Sequence, residues 1–179
     1  MHYDYLECDS IYELEKALKL DKNFEGYIFC FGTSFISQLI MAKTRKNKNE
    51  KVPSHVALIK DRYIYESTTE KPEVGKKRIP SGVRRWQLRD YIKYEKGKET
   101  RYTICKANIN IKEAEYYVHY PYGRDTILDY VLADGSDGVS YGLICSQYAN
   151  LCTKEIDAPC VTPAELFRAA KGRVNRNVL

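Results

Sequence analysis

Two β-rich runs face each other across three polar residues. His55–Ile59 reads HVALI, Tyr63–Ser67 reads YIYES, and Lys60-Asp61-Arg62 lies between them. Apolar, β-branched and aromatic residues at this density, interrupted by a short polar stretch, read as a β-hairpin. Its register decides which side chains share a face, because successive residues of a strand alternate sides. A two-residue turn at Lys60-Asp61 sets His55 directly opposite Glu66. A three-residue turn at Lys60–Arg62 pairs Val56 with Glu66 and turns His55 to the other face. Tyr27–Phe31 and Arg101–Ala107 (RYTICKA) are further candidate strands.

Helix signals surround these runs. Ser10 with Glu13 forms a capping box ahead of an apolar stripe at Ile11, Leu14, Ala17 and Leu18. Gly26 ends that unit. Thr33 or Ser34 caps a second helix carrying Phe35, Ile36, Leu39 and Ile40. Pro53 closes the basic stretch that follows it. Helix is expected within Lys112–His119, Thr126–Leu132 and Ser140–Cys152. Thr162-Pro163-Ala164-Glu165 is a second capping box, with Pro at the first helical position. Asp134–Gly138 (DGSDG) reads as a turn; it lacks the ligand spacing and distal Glu of a calcium loop. Helix, strand, helix, several strands and then helices make an α+β pattern. Without a repeat or linker, residues 1–179 read as one domain, with 1–25 as an N-terminal helical extension.

Composition narrows the function classes. Sixteen Tyr, five Phe and one Trp in 179 residues are too many aromatics for a solvated, disordered chain. The most apolar stretch, Tyr27–Ala42, is broken by Gly32, Thr33, Ser34, Ser37 and Gln38, and falls short of the ~20 apolar residues of a membrane span. MHYDYLECDS has no signal-peptide character, so a cytoplasmic location is the expectation. The six cysteines (8, 30, 105, 145, 152 and 160) then read as thiols, and without a C-x-x-C pair a structural zinc site is disfavoured. His2, His55 and His119 lack ligand spacing; neither metal nor cofactor is expected, and His119 reads as a structural residue at a helix end.

The net charge of +5 comes mostly from Lys43–Lys51 and Lys76–Arg89. These read as solvated loops rather than a nucleic-acid site, since no aromatic interleaving makes a stacking platform. Usage rich in Lys, Ile, Asn and Tyr points to an AT-rich genome, a bacteriophage or a low-GC bacterium; a phage-encoded chain can be virion-associated.

Three residues carry candidate chemistry. Cys145 opens a predicted helix in GLICSQYANLC, His55 opens a strand, and Glu66 lies in the next strand. A nucleophilic Cys requires its thiolate, which a helix N-terminus and a nearby imidazolium favour. The His requires a third polar group to hold its tautomer and orientation. Taken singly, each has an ordinary reading: a buried thiol, a satisfied structural His, a solvated strand Glu. Cys152, seven residues on and on nearly the same helix face, reads as such a core thiol.

The joint pattern resembles a family. Gly26-Tyr27-Ile28-Phe29 followed by Gly32-Thr33-Ser34, then Ser54-His55-Val56-Ala57-Leu58-Ile59 and Tyr65-Glu66-Ser67 are similar, in order, to motifs of NlpC-type papain-like amidases. So are Gly82-Val83 with Leu88-Arg89-Asp90-Tyr91, Pro121-Tyr122-Gly123, Cys145-Ser146-Gln147 and Thr162-Pro163-Ala164-Glu165-Leu166. His before Cys marks the circularly permuted, YiiX-like branch; lecithin:retinol acyltransferase is a more distant relative. The likeness runs from about Gly26 to Leu166. Tyr27 stands where the family has Asp, and Gln147 where it has Glu, which leaves subfamily and substrate open.

The resemblance implies a permuted papain-like fold, an antiparallel sheet or small barrel packed with helices. It also implies a thiol hydrolase or acyltransferase with Cys145 as nucleophile, His55 as acid–base and Glu66 as its orienting partner. Tyr122, Tyr141 and Ser54 are candidates for oxyanion or substrate contact. The implied substrates are peptides, cell-wall peptides or lipid acyl groups. Lys43, Arg45, Lys46 and Lys48, just ahead of His55, are a candidate patch for an anionic substrate or surface. Two rival readings remain: a non-catalytic binding or structural module on the same fold, favoured by the Tyr surplus, and a basic nucleic-acid-associated protein, which rests on the two cationic stretches.

Overall fold

A computed structural model describes residues 2–71, 73–74, 77–78, 80–123, 143–158 and 161–176. The expected helix at 126–132, the DGSDG turn and Tyr141 lie outside the described residues. Among the described residues eight strands run β1 (Tyr5–Cys8), β2 (Gly26–Phe31), β3 (His55–Lys60), β4 (Tyr63–Thr68), β5 (Glu73–Val74), β6 (Lys77–Arg78), β7 (Gly82–Gln87) and β8 (Arg101–Lys106). Six described helices are α1 (Ile11–Leu20), α2 (Phe35–Thr44), α3 (Leu88–Glu95), α4 (Ile111–Tyr116), α5 (Cys145–Thr153) and α6 (Pro163–Arg176). The chain is α+β, with an antiparallel six-stranded sheet ordered β1-β8-β2-β3-β4-β7 and a separate β5-β6 pair.

Both faces of the sheet are covered, so the central strands are continuous apolar runs rather than alternating ones. On one face Leu14 and Leu18 of α1 and Tyr91 and Ile92 of α3 pack on Ile28, Ile59, Ile64 and Ile104. On the other, Tyr148 and Cys152 of α5 and Leu166 and Phe167 of α6 pack on Tyr27, Phe29, Val56, Leu58 and Tyr65. Phe29 meets Phe167 edge-on at 5.0 Å. Each fully buried Leu, Ile, Val or Phe among them contributes roughly 1.5–3 kcal/mol.

Residues 1–25 supply an edge strand as well as a helix. β1 pairs with β8, Tyr5 opposite Cys105. Ser10 Oγ accepts the Glu13 N–H, while the Glu13 carboxylate accepts the Asp9 N–H, so the box closes one residue early. Gly26 opens β2 at φ +157°, where a Cβ would collide with the Cys105 carbonyl oxygen. At α6, Thr162 Oγ1 accepts the Glu165 N–H at 3.2 Å and Glu165 Oε2 accepts the Thr162 N–H at 2.8 Å, the reciprocal cap expected.

The hairpin adopts neither register expected. Leu58 pairs with Tyr65, Ile59 with Ile64 and Lys60 with Tyr63, which leaves Asp61 and Arg62 as the turn. Both have positive φ, 51° and 65°, the twist-matched conformation of tight hairpins. Arg62 is held there by tertiary contacts: its Nη1 donates to Leu18 O at 2.8 Å, and its carbonyl accepts the Leu88 N–H at 2.9 Å. Continued outward, this register sets Ala57 opposite Glu66. The slip from the first expected register is two residues, so His55 and Glu66 remain on one face as diagonal neighbours.

The second basic stretch also departs from expectation. Much of Lys76–Arg89 is ordered sheet and helix rather than solvated loop: β7 runs through Arg84 and Arg85, and α3 begins at Leu88. Arg84 points inward and is 4% exposed. Arg85 faces outward, its Nη1 donating to Glu115 Oε1 at 2.8 Å.

Candidate functional site

The first residue of β3 and the first residue of α5 meet at one end of the sheet. His55 is paired in register with Cys30 of β2. Helix α5 lies against β3 and β4, and its N-terminus brings Cys145 to the His55 end. Three contacts seat it there. Ser67 Oγ donates to Leu143 O, Ser146 Oγ donates to Val161 O, and Gln147 Oε1 accepts the Ile144 N–H at 3.2 Å. Gln147 thus satisfies one free N–H of the helix start.

Cys145, His55 and Glu66 line one cavity of about 690 Å³. His55 Nε2 is 2.7 Å from Glu66 Oε2. That contact occupies Nε2 and leaves Nδ1 as the ring atom able to exchange a proton with sulfur. Burial acts to lower the basicity of His55, but the charge and hydrogen bond of Cys145, with those of Glu66, outweigh it and push the imidazole well above its ordinary range. Burial equally acts to raise the Glu66 carboxyl. The Arg84 charge opposite it and the hydrogen bond from His55 prevail and hold it at about 2. Glu66 is 3% exposed and Cys145 is 4% exposed, whereas the His55 side chain is a quarter exposed and bridges them to the cavity.

The remaining sequence candidates divide. Tyr122 lines the cavity, and burial together with the Cys145 charge raises its phenol. Two bonds fix the approach to it: Val83 N–H to Tyr120 O and His119 N–H to Val83 O, both 2.8 Å. His119 sits past the end of α4 at φ +78°. Ser54 also lines the cavity, but its hydroxyl closes the strand end, accepting from Gly32 N–H at 3.4 Å and donating to Cys30 O at 3.3 Å. Of the basic stretch, Thr44 reaches the cavity wall, while Lys43, Arg45, Lys46 and Lys48 are outside its described lining. The stretch is clamped to α6 by Arg168, which donates to Glu50 Oε1 at 2.7 Å and to Thr44 O at 2.8 Å.

Sequence reasoning missed Arg84. It stands opposite Glu66 in β7 and donates to Glu66 Oε1 from Nε at 2.9 Å and from Nη2 at 2.6 Å. The available signal was the demand itself, since a Glu placed in the interior beside a His requires a cation. Among the described residues no group of His, Cys, Asp and Glu is arranged to hold a metal ion, and no helix is long and apolar enough to cross a membrane. Cys8, Cys30, Cys105, Cys145 and Cys152 are free thiols. Comparison with family models, curated proteins and solved structures returns no match.

Proposed function

We propose that this chain is a cysteine-dependent hydrolase or acyltransferase of circularly permuted papain-like design, acting on amides of peptides or cell-wall peptides or on lipid acyl esters. One observation carries the reading: the N-terminal residue of a helix is a cysteine that shares a cavity with a histidine held at 2.7 Å by a buried carboxylate. The order of His55 before Cys145 and the six-stranded antiparallel sheet support it.

The chemistry follows from the contacts. His55 Nδ1 takes the Cys145 proton, and the sulfur attacks the substrate carbonyl carbon. The tetrahedral oxyanion lies near the first N–H groups of α5, with the Tyr122 hydroxyl as a second donor. Its collapse breaks the bond to the leaving amine or alkoxide, which takes the proton back from His55 and leaves a thioester. Water or another acceptor gives its proton to His55, attacks the thioester carbonyl and releases the thiolate. Throughout, Glu66 stays ionised and stabilises the imidazolium.

The test uses p-nitrophenyl acetate as a small acyl donor. The expected result is a burst of nitrophenol and an acetyl adduct mapped to Cys145, both lost in Cys145→Ala. An adduct spread over other residues, or a burst that survives Cys145→Ala, would contradict the reading.

A second reading, a binding module on the same scaffold, draws on exposed aromatics: Tyr116 is 77% exposed and touches Tyr117, which in turn touches the half-exposed Tyr120. A Cys145→Ala chain that keeps full biological function would favour it. Nucleic-acid association, the third reading, predicts strongly salt-dependent retention on heparin.

A further inference from the structure

We infer that Arg84 is a positioning residue of this site: its guanidinium holds one oxygen of Glu66 so that the other is kept as the acceptor that fixes His55. The inference rests on the proposed cysteine chemistry and adds a fourth residue to it.

The geometry separates the two carboxylate oxygens. Nε and Nη2 of Arg84 both donate to Oε1, at 2.9 and 2.6 Å, while Oε2 alone meets His55 Nε2 at 2.7 Å. An ordinary fork-to-fork pair would engage both oxygens and compete with the histidine. Arg84 is itself held on further sides. Nη1 donates to Glu70 O at 2.8 Å, and the guanidinium carbon lies 4.4 Å from the centre of the Trp86 ring, two residues on along the same face of β7. A clamp with each of its three nitrogens engaged and its plane resting on an indole has little freedom to turn, so neither has the carboxylate.

Charge balance points the same way. Cys145 as thiolate, His55 as imidazolium and Glu66 as carboxylate carry one net negative charge in a largely buried place, and Arg84 cancels it. Without that cation, burial favours the neutral acid, and a protonated Glu66 supports an imidazolium far less. Cys30 of β2, Glu70 beyond β4, Tyr91 and Glu95 of α3, and Lys98 and Glu99 beyond α3 also face the cavity. The Glu66 carboxylate spends its hydrogen bonds on His55 and Arg84, and Lys98 is engaged by Glu95 and Glu70 at 2.8 and 3.2 Å.

The experiment is the pH profile of Cys145 alkylation by iodoacetamide between about pH 4 and about pH 7, in the parent, Arg84→Met, Arg84→Lys, Glu66→Gln and the double variant Glu66→Gln/Arg84→Met. Folding is checked by circular dichroism and by the cooperativity of urea unfolding. Arg84→Met is expected to gain an acid limb, lowering the rate at about pH 5 relative to about pH 7 by roughly tenfold more than in the parent. Arg84→Lys, which keeps the charge without the fork, is expected to fall between. On the Glu66→Gln background, Arg84→Met is expected to change nothing further, since its effect runs through the carboxylate.

A folded Arg84→Met with the parental profile would overturn the inference, as would an equal shift on both backgrounds. Where Arg84→Met does not fold, Arg84→Lys decides, and a parental profile there also overturns it. A parent whose Cys145 shows no selective alkylation would defeat the proposed chemistry instead. The carbon-13 resonance of the Glu66 carboxyl then reads Arg84 separately: a titration that appears between about pH 4 and about pH 7 only when Arg84 is replaced supports the clamp. A resonance equally flat in both chains overturns it.

Discussion

The two ends of helix α5 carry the same residue type in opposite surroundings. Cys152 at the C-terminal end is 1% exposed and packs into the core with Tyr148 and Ala149; burial pushes its thiol up to about 12. Cys145 at the N-terminal end is nearly as buried, at 4%, yet it borders a cavity and faces His55. Burial alone therefore does not sort the thiols of this protein. What differs is the polarity of the neighbours: helix N–H groups and an imidazole at one end, tyrosine and aliphatic carbon at the other. In the proposed chemistry it is the groups facing Cys145 that make it the reactive one.

Exchanging the two residues gives the largest expected contrast. Cys145→Ala should abolish acyl transfer, a loss of at least about a thousandfold in rate. Cys152→Ala should leave the rate within about twofold and lower stability by roughly 1 kcal/mol through lost packing. Stopped-flow assays and urea denaturation on the same preparations separate the two effects. A rate loss in Cys152→Ala comparable with that in Cys145→Ala would erase the contrast.

The elements that were legible in the sequence are those whose signal is local. β2, β3, β4 and β8 are apolar or aromatic runs, and α1 and α6 announce themselves with capping boxes at Ser10–Glu13 and Thr162–Glu165. β7 was hidden because Val83-Arg84-Arg85-Trp86 reads as surface charge. Its inward arginine is tolerable only because Glu66 waits on the neighbouring strand, and that fact is nowhere local. β1 is a short edge strand defined by β8, almost a hundred residues away. The hairpin register turned on Asp61 and Arg62, a pair with no Gly or Asn to advertise positive φ and held by the carbonyl of Leu18 and the N–H of Leu88. Of the candidate site, the residue types and their order were legible. The diagonal placement of His55 and Glu66 was not, since a register is a tertiary property. The Tyr surplus has a structural side too: buried phenols donate to Thr153, Glu115, Glu95 and Ala114 from Tyr27, Tyr65, Tyr102 and Tyr148.

A pH titration of stability sharpens the same contrast at intermediate size. The Glu66 carboxyl lies at about 2 in the folded chain, below its ordinary 4.5. Its contribution is therefore present above the ordinary value and lost as pH falls from about 5 towards about 2. Glu66→Gln should flatten that part of the urea-midpoint curve relative to the parent. His55 has the opposite sign: its folded value is raised, so its contribution is present below the ordinary value of 6.5 and lost as pH rises through the folded one. A parental slope retained in Glu66→Gln between about pH 5 and about pH 2 would assign the acid loss to other groups, of which Glu50, held down by Arg168 to about 2, is the foremost.

The smallest effect concerns the approach to the cavity. With Lys43, Arg45, Lys46 and Lys48 neutralised together, alkylation of Cys145 by the anionic iodoacetate should slow by about twofold at low ionic strength, while that by neutral iodoacetamide should not. The difference should vanish in about 0.5 M salt. Equal rates for both reagents in both chains would remove the patch from the account.

All of this depends on Cys145 being the reactive thiol because His55 faces it. Treatment of the intact chain with a limiting amount of iodoacetamide at about pH 6, followed by peptide mapping across all six cysteines, reads that relation in one experiment. The account predicts label concentrated on Cys145, at least about tenfold over Cys152, and lost from Cys145 in His55→Ala. Label spread evenly, absent from Cys145, or unchanged by His55→Ala would make Cys145 a structural thiol like Cys152.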